Sequence, residues 1–216
     1  MDYPRAMLLH RAMRRSFLTG LAGAAAMPLL ASARSTLLGY VPAGAVADRG
    51  LGLVSPLNCT PGTRSQTAGP FYTPATPRRT DLREPDAGGE PLVFEGLVLT
   101  PECRPLPGAV IDIWHSDGRG RYDNRGFRYR GHQFADAAGA FRFLTIRPGV
   151  YTGRTPHIHV KAQGKNTRVL TTQVYFPDLE DANARDSIFR DDLLVRLDRT
   201  AAGLWRARFD FVLQPA

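Results

Sequence analysis

Trp205-Arg206-Ala207-Arg208-Phe209-Asp210-Phe211-Val212-Leu213 alternates along its length. Trp205, Ala207, Phe209, Phe211 and Leu213 fall on one side; Arg206, Arg208 and Asp210 fall on the other. That is the period of a strand with one face buried and one in water. Outward from this segment the pattern recurs in short apolar runs at residues 94–99, 109–115, 140–146, 157–162 and 168–176, with the final run spanning 204–213. Turn chemistry separates them: Pro107-Gly108, Asp117-Gly118, Pro148-Gly149 and Gly164-Lys165-Asn166. No long helical pattern competes, and residues 179–194 hold a short helix at most. With no βαβ rhythm and no internal repeat, the expectation is an all-β chain, an antiparallel β-sandwich with long connecting loops and little helix.

Composition agrees with one globular domain. The chain has 216 residues, 43% hydrophobic and 22% charged, with 21 Gly and 17 Pro, a turn-rich content that excludes collagen, coiled coil and wholesale disorder. The longest apolar run, Leu18 to Ala33, is interrupted by Thr19, Pro28 and Ser32. A bilayer-spanning helix needs about 20 apolar residues, so no membrane span is expected in the mature protein. The formal charge of +8 includes +3 from the first 33 residues. The rest is scattered arginine, the only lysines being Lys161 and Lys165. A nucleic-acid surface concentrates its charge, so no nucleic-acid partner is expected; an anionic small molecule fits.

Residues 1–33 read as an address. Basic residues up to Arg15 precede an apolar stretch from Leu18 to Leu30, and Ala31-Ser32-Ala33 is an A-x-A cleavage site. Arg14-Arg15-Ser16-Phe17-Leu18 resembles the twin-arginine signal that delivers folded proteins to the bacterial export machinery. The expected location is therefore periplasmic or secreted. Residues 34–59 read as an extended lead-in, and residues 60–216 as the sandwich domain. Cys59 and Cys103 both lie in the mature part, where an oxidising compartment permits a disulfide; two buried free thiols are the alternative. The expectation is that they are bonded.

The chemistry gathers around His157-Ile158-His159. On a strand, side chains at i and i+2 share a face, so both imidazoles can converge on one metal ion while Ile158 points into the core. No further His, Asp or Glu follows at a spacing that completes a cupin-like or zinc site. Tyrosines stand nearby instead: Tyr151 after Pro148-Gly149, and Tyr122 after Asp117-Gly118-Arg119-Gly120-Arg121. A lone loop tyrosine is normally packing, yet a trivalent metal can deprotonate a coordinating phenol. Two phenolates with two neutral imidazoles form a hard, electron-rich set suited to Fe(III). Trp114 and Phe143 read as core; His115 reads as a neighbour of the site at best, and His132 falls outside any ligand pattern.

The chain resembles the intradiol ring-cleavage dioxygenases, non-haem Fe(III) enzymes that open catechols between the hydroxyl-bearing carbons. The resemblance runs from Gln66-Thr67-Ala68-Gly69-Pro70-Phe71-Tyr72, through Pro105-Leu106-Pro107-Gly108-Ala109-Val110-Ile111-Asp112-Ile113-Trp114 and Gly120-Arg121-Tyr122-Asp123. It continues through Phe141 to Tyr151 and then Arg154-Thr155-Pro156-His157-Ile158-His159, to about Phe176. The leader and the cysteine pair are similar to those of the family's extracytoplasmic branch.

That resemblance implies Tyr122, Tyr151, His157 and His159 as ligands of Fe(III), with a catechol-type substrate and O2 as partners and a muconate-type diacid as product. It implies that Tyr151 leaves the metal when substrate binds and accepts a proton, while Tyr122 stays. Arg154 matches the family's active-site arginine, whose fixed charge suits a dianionic catecholate. Gln173 matches the family's glutamine; a three-residue turn at Gly164-Lys165-Asn166 would set it opposite His157. Only Thr152 and Gly153 separate Tyr151 from Arg154, where well-known cytoplasmic members carry a longer insert, so an open mouth tolerant of ring substituents is expected. The rival readings are an exported, non-catalytic β-sandwich binding module and a related metalloprotein without ring cleavage. Assembly into a homo-oligomer stays open.

Overall fold

The structure is a computed structural model and describes Cys59, residues 61–85 and residues 88–216. The proposed leader of residues 1–33, and all of the lead-in except Cys59, lie outside the described residues. The strands are β1 (Pro91–Leu99), β2 (Val110–Trp114), β3 (Arg130–Phe134), β4 (Ala140–Ile146), β5 (His157–Gln163) and β6 (Leu170–Tyr175). After β6 come the helix α1 (Glu180–Arg185), a 3-10 turn at Asp191–Leu193, and strands β7 (Arg196–Arg199), β8 (Trp205–Arg208) and β9 (Phe211–Val212). One sheet has the order β4-β1-β8-β7, with β9 also paired to β1; the other has the order β3-β2-β5-β6. The all-β sandwich expected from the alternation is the fold.

The core lies between the sheets. Phe94, Phe141, Phe143, Ala207, Phe211 and Leu213 enter it from the first; Ile111, Ile113, Ile158, Val160 and Val174 enter from the second. Phe94 meets Phe141 edge-on, with ring centroids 5.3 Å apart. Each such side chain stabilises the fold by about 1.5–3 kcal/mol through the apolar area it removes from water. Because strand side chains alternate, burying Ile158 and Val160 turns His157, His159 and Lys161 to the opposite face of the second sheet. The site is built on that outer face.

The final run departs from expectation in two respects. β8 and β9 run parallel to β1, with Glu95 opposite Arg208 and Val98 opposite Phe211. The chain enters this sheet at its far edge as β7, reverses through a turn closed by Thr200 N–H to Leu204 O (2.8 Å), and so comes back in the direction of β1. The run is also interrupted at Phe209 and Asp210, where Asp210 Oδ1 accepts the Leu97 N–H at 2.9 Å in place of a backbone carbonyl. The same register resumes on both sides of the break.

Cys59 and Cys103 are bonded, with Cα atoms 5.5 Å apart. Cys59 packs with Leu99 and Val212 in a small cluster of its own.

Candidate functional site

β5 brings His157 and His159 side by side. Their Nε2 atoms are 3.1 Å apart, and the Tyr122 phenol oxygen lies 3.3 Å from His157 Nε2. His157 Nδ1 meets the Thr155 carbonyl at 2.6 Å, and a carbonyl only accepts, so Nδ1 carries the proton and Nε2 presents its lone pair. The ring of Tyr151 stands edge-on to that of Tyr122, centroids 5.7 Å apart. The structure thus brings together all four side chains singled out as ligands.

Two loops deliver the tyrosines, and their backbones touch. A Cβ on Gly149 would lie 2.5 Å from Gly118 O and 2.6 Å from Gly120 N. Gly120 has φ +78°, and its Cβ would collide with Val150 O at 1.9 Å. Only glycine permits this approach. Asp117 organises the first loop: Oδ1 accepts Arg119 N–H and Arg121 N–H, and Oδ2 accepts the Arg121 guanidinium. Its carboxylate is turned inward on its own loop, as the arginines in that stretch suggest.

Burial sets the charge of the donors. It lowers His157 to about 4 and His159 well below its ordinary value, and it raises the Tyr122 phenol well above the usual phenol range. Neutral imidazoles and a phenol that will not ionise unaided form a donor set suited to a cation. Hard oxygen donors with imidazole nitrogens fit ferric iron, which can drive the phenol proton off.

Aromatic rings hold the donors in place. Trp114 is fully buried, as expected of a core residue, but it packs on the outer face: its indole stacks on His159 at 4.8 Å with only 2° between planes. Phe71 stacks on Tyr122 at 4.4 Å and meets Tyr151 edge-on at 5.2 Å. Arg130, on a strand the periodicity missed, reaches under this layer. Its Nη1 donates to Phe71 O at 2.5 Å, and Nε and Nη2 donate to Asp123 O, beside Tyr122.

Arg154 projects from the turn that follows Tyr151. Arg154 N–H donates to Tyr151 O at 2.8 Å, and Gly153 takes φ +75°, so the expected tight turn is present with Thr152 and Gly153 exposed. The Arg154 guanidinium donates through Nε to Asp186 Oδ2 (2.8 Å) and through Nη2 to Gln173 Oε1 (2.6 Å). Gln173 lies opposite His159, not His157. The pairing is shifted by two, His157 facing Tyr175, so the midpoint of the turn moves from Lys165 to Asn166, where Thr167 Oγ1 accepts Gly164 N–H. A shift of two keeps Gln173 on the site's face. Its Nε2 donates to Thr67 O at 2.9 Å, tying Arg154 to the segment that carries Phe71. Segment 66–71 therefore borders the cluster, touching Tyr122, Tyr151 and Gln173.

His115 does not touch the cluster; its ring bonds Thr145 Oγ1 and Ser116 O. His132 lies farther along the same face, 3.2 Å from Thr76 Oγ1, in a separate cavity of about 310 Å3 that Asp112 and Lys161 also line.

The β-sandwich thus gathers two half-buried phenols and two buried imidazoles beside an arginine on one sheet face. Residues 67–215 match the model of the family described as Dioxygenase, and the chain belongs to that family. It is 30% identical over 184 residues to a chlorocatechol 1,2-dioxygenase of Pseudomonas sp. (strain P51), covering 73% of this chain and 72% of that protein. It is also 30% identical over 192 residues to a hydroxyquinol 1,2-dioxygenase of Nocardioides simplex, covering 71% and 65%. The chain thus spans about two thirds of the length of these relatives. The dioxygenase domain of a dioxygenase–carbohydrate-binding protein fusion from Streptomyces sp. SirexAA-E superposes with a TM-score of 0.67 at 46% identity, covering 72% of this chain and 99% of that one.

Proposed function

We propose that this protein is an intradiol dioxygenase of the extracytoplasmic branch, cleaving a catechol-type ring with O2 to a muconate-type diacid. It holds ferric iron through Tyr122, Tyr151, His157 and His159. The convergence of His157 Nε2, His159 Nε2 and the Tyr122 phenol within 3.3 Å, beside Arg154, carries this reading. Iron held by these residues would supply a Lewis acid and a path for electrons between the ring and O2.

The chain's own residues do the rest. Thr155 O holds His157 in the tautomer that presents Nε2. Trp114 fixes the plane of the His159 ring. Tyr151, half-buried and next to an exposed turn, is the residue that, as a phenolate, would accept a substrate proton. Arg154 places a fixed positive charge beside an anionic substrate. Gln173, with its amide nitrogen committed to Thr67 O, braces Arg154 rather than contacting the ring.

The twin-arginine segment and cleavage site support folded export through the twin-arginine machinery to the periplasm, and the disulfide accords with an oxidising compartment. The short 151–154 turn supports a mouth that tolerates bulk. Specificity constants for unsubstituted and bulky 4-substituted catechols are expected to lie within about tenfold; a thousandfold preference for one small catechol would show that another segment, residues 123–135 or 60–75, closes the site.

The test is direct. Protein purified with iron should hold one iron per chain, absorb visible light through phenolate-to-iron charge transfer, and consume O2 when given catechols. Protein that stays iron-free and colourless after iron supply overturns the proposal.

A further inference from the structure

Asp186 has no part in the reading so far. Its side chain is 1% exposed, and it follows α1 on a segment where sequence pattern offers no catalytic motif. A carboxylate in that position is costly unless donors surround it. Oδ2 accepts Arg154 Nε–H at 2.8 Å and Thr155 N–H at 3.1 Å, and Oδ1 accepts Ile188 N–H at 3.1 Å. The same short helix sends Asn183 beneath the strand: its Oδ1 accepts the Thr155 hydroxyl at 2.7 Å and its Nδ2 donates to Phe176 O. Asp186 is therefore a fixed point, anchored by backbone on two sides, against which a long and otherwise mobile side chain is held.

The guanidinium is shared out in a definite way. Nε goes to Asp186 and Nη2 to Gln173, with the Tyr175 hydroxyl 3.4 Å from Nη2. Nη1 makes no hydrogen bond among the described residues. Arginine's planar fork makes this informative, because fixing Nε and one Nη fixes the direction of the other. A lysine could not divide its charge so, and an arginine held by Gln173 alone could rotate about that bond.

We propose that Asp186 is a positioning residue: it locks Arg154 so that Nη1 remains free to donate to the anionic oxygen of a bound catechol. The proposal rests on Arg154 facing substrate in the dioxygenase reading. It gives the residue that ends α1 a task in the site.

A double-mutant cycle tests it, read by the affinity of the iron-loaded protein for 4-nitrocatechol, whose own colour reports its ionisation. Asp186→Asn should weaken binding about tenfold in the wild-type background and less than about twofold in an Arg154→Ala background, since the carboxylate acts through the arginine. Equal losses in both backgrounds, or none in the first, overturn it. If the Arg154→Ala variant does not fold around its unpaired buried carboxylate, Arg154→Lys serves. It keeps the charge but loses the fork, so a comparable tenfold weakening supports the proposal and wild-type affinity overturns it. In metal-free protein, the Arg154 Nε–H resonance should exchange about tenfold faster with water in Asp186→Asn than in the wild type. That readout stands apart from catalysis. If the wild type neither binds 4-nitrocatechol nor takes up O2, the dioxygenase reading fails, while unchanged Nε–H exchange is what sinks the positioning role.

Discussion

At His115, Nδ1 lies 2.8 Å from the Ser116 carbonyl and Nε2 lies 2.7 Å from Thr145 Oγ1. The carbonyl takes the proton on Nδ1 and the threonine hydroxyl donates to Nε2, so the neutral ring is satisfied on both sides and leaves no room for a second proton. Burial accordingly lowers this histidine from 6.5 to about 4. In the unfolded chain it protonates near 6.5, so below that pH the unfolded state takes up a proton that the native state refuses. Stability is fully present above 6.5 and drains away as pH falls towards 4, by roughly 3 kcal/mol for this group. Urea unfolding at pH 7 and pH 4.5 should show that loss in wild type and a loss smaller by about 2–3 kcal/mol in His115→Gln, which cannot titrate. An identical pH dependence in the two proteins would refute the assignment. The same scale separates what sequence could disclose from what it could not. Tyr122, Tyr151, Arg154, His157 and His159 sit in short motifs that neighbours along the chain make recognisable. Asp186 and Arg130 reach the site only through folding, from segments with no local signature, and a lone buried Asp or Arg looks like any other until its partners are known.

The elements themselves divide by exposure. The central strands β1, β2 and β5 bury whole faces and announce themselves by alternation. β3 and β7 are edge strands, Arg130-Gly131-His132-Gln133-Phe134 and Arg196-Leu197-Asp198-Arg199, and their polarity is what an edge needs to resist pairing with another chain. Hydrophobic periodicity passes over such strands for that reason. The β5–β6 register was readable in parity, since core side chains fix which face is which, but not in length, because a threonine hydroxyl chose where the turn closed. Between elements, the contact of the two glycine loops is the feature that sets the tyrosine pair. Gly149→Ala would press a methyl into the Gly118 carbonyl, and the loops must part. A destabilisation of about 1–3 kcal/mol is expected, with iron content falling well below one per chain at matched iron supply. Full iron occupancy in a variant destabilised by that amount would show that the tyrosines are held by something other than this contact.

Across the whole described domain, the disulfide and the segment after it act as a lace. Cys59 is bonded to Cys103; Thr63 N–H donates to Val212 O, Val212 N–H returns to Thr63 Oγ1, and Gln66 N–H donates to Thr171 O. The segment crosses from β9 of one sheet to β6 of the other and then supplies Thr67 and Phe71 to the site. Closing a loop of 44 residues' separation stabilises the fold by about 3–4 kcal/mol on the chain-entropy account. Replacing both cysteines by serine should lower the unfolding free energy by about that amount in denaturant titrations. A change under about 1 kcal/mol would mean the lace holds without its stitch.

The parallel pairing of β1 with β8 and β9 has a consequence for how this chain is made. Glu95 waits for Arg208, and Val98 for Phe211, so β1, already paired with β4 on one side, cannot find its second neighbour until residues 205–212 have been made. The sheet bearing the donors draws its strands from residues 110–175 and can assemble earlier, yet until then its inner face lacks Ala207, Phe211 and Leu213. A nascent chain therefore carries a nearly finished site on an unsealed core and depends on residues 205–213 to close it. Termination after Leu204 should yield an aggregation-prone product, whereas the full chain folds.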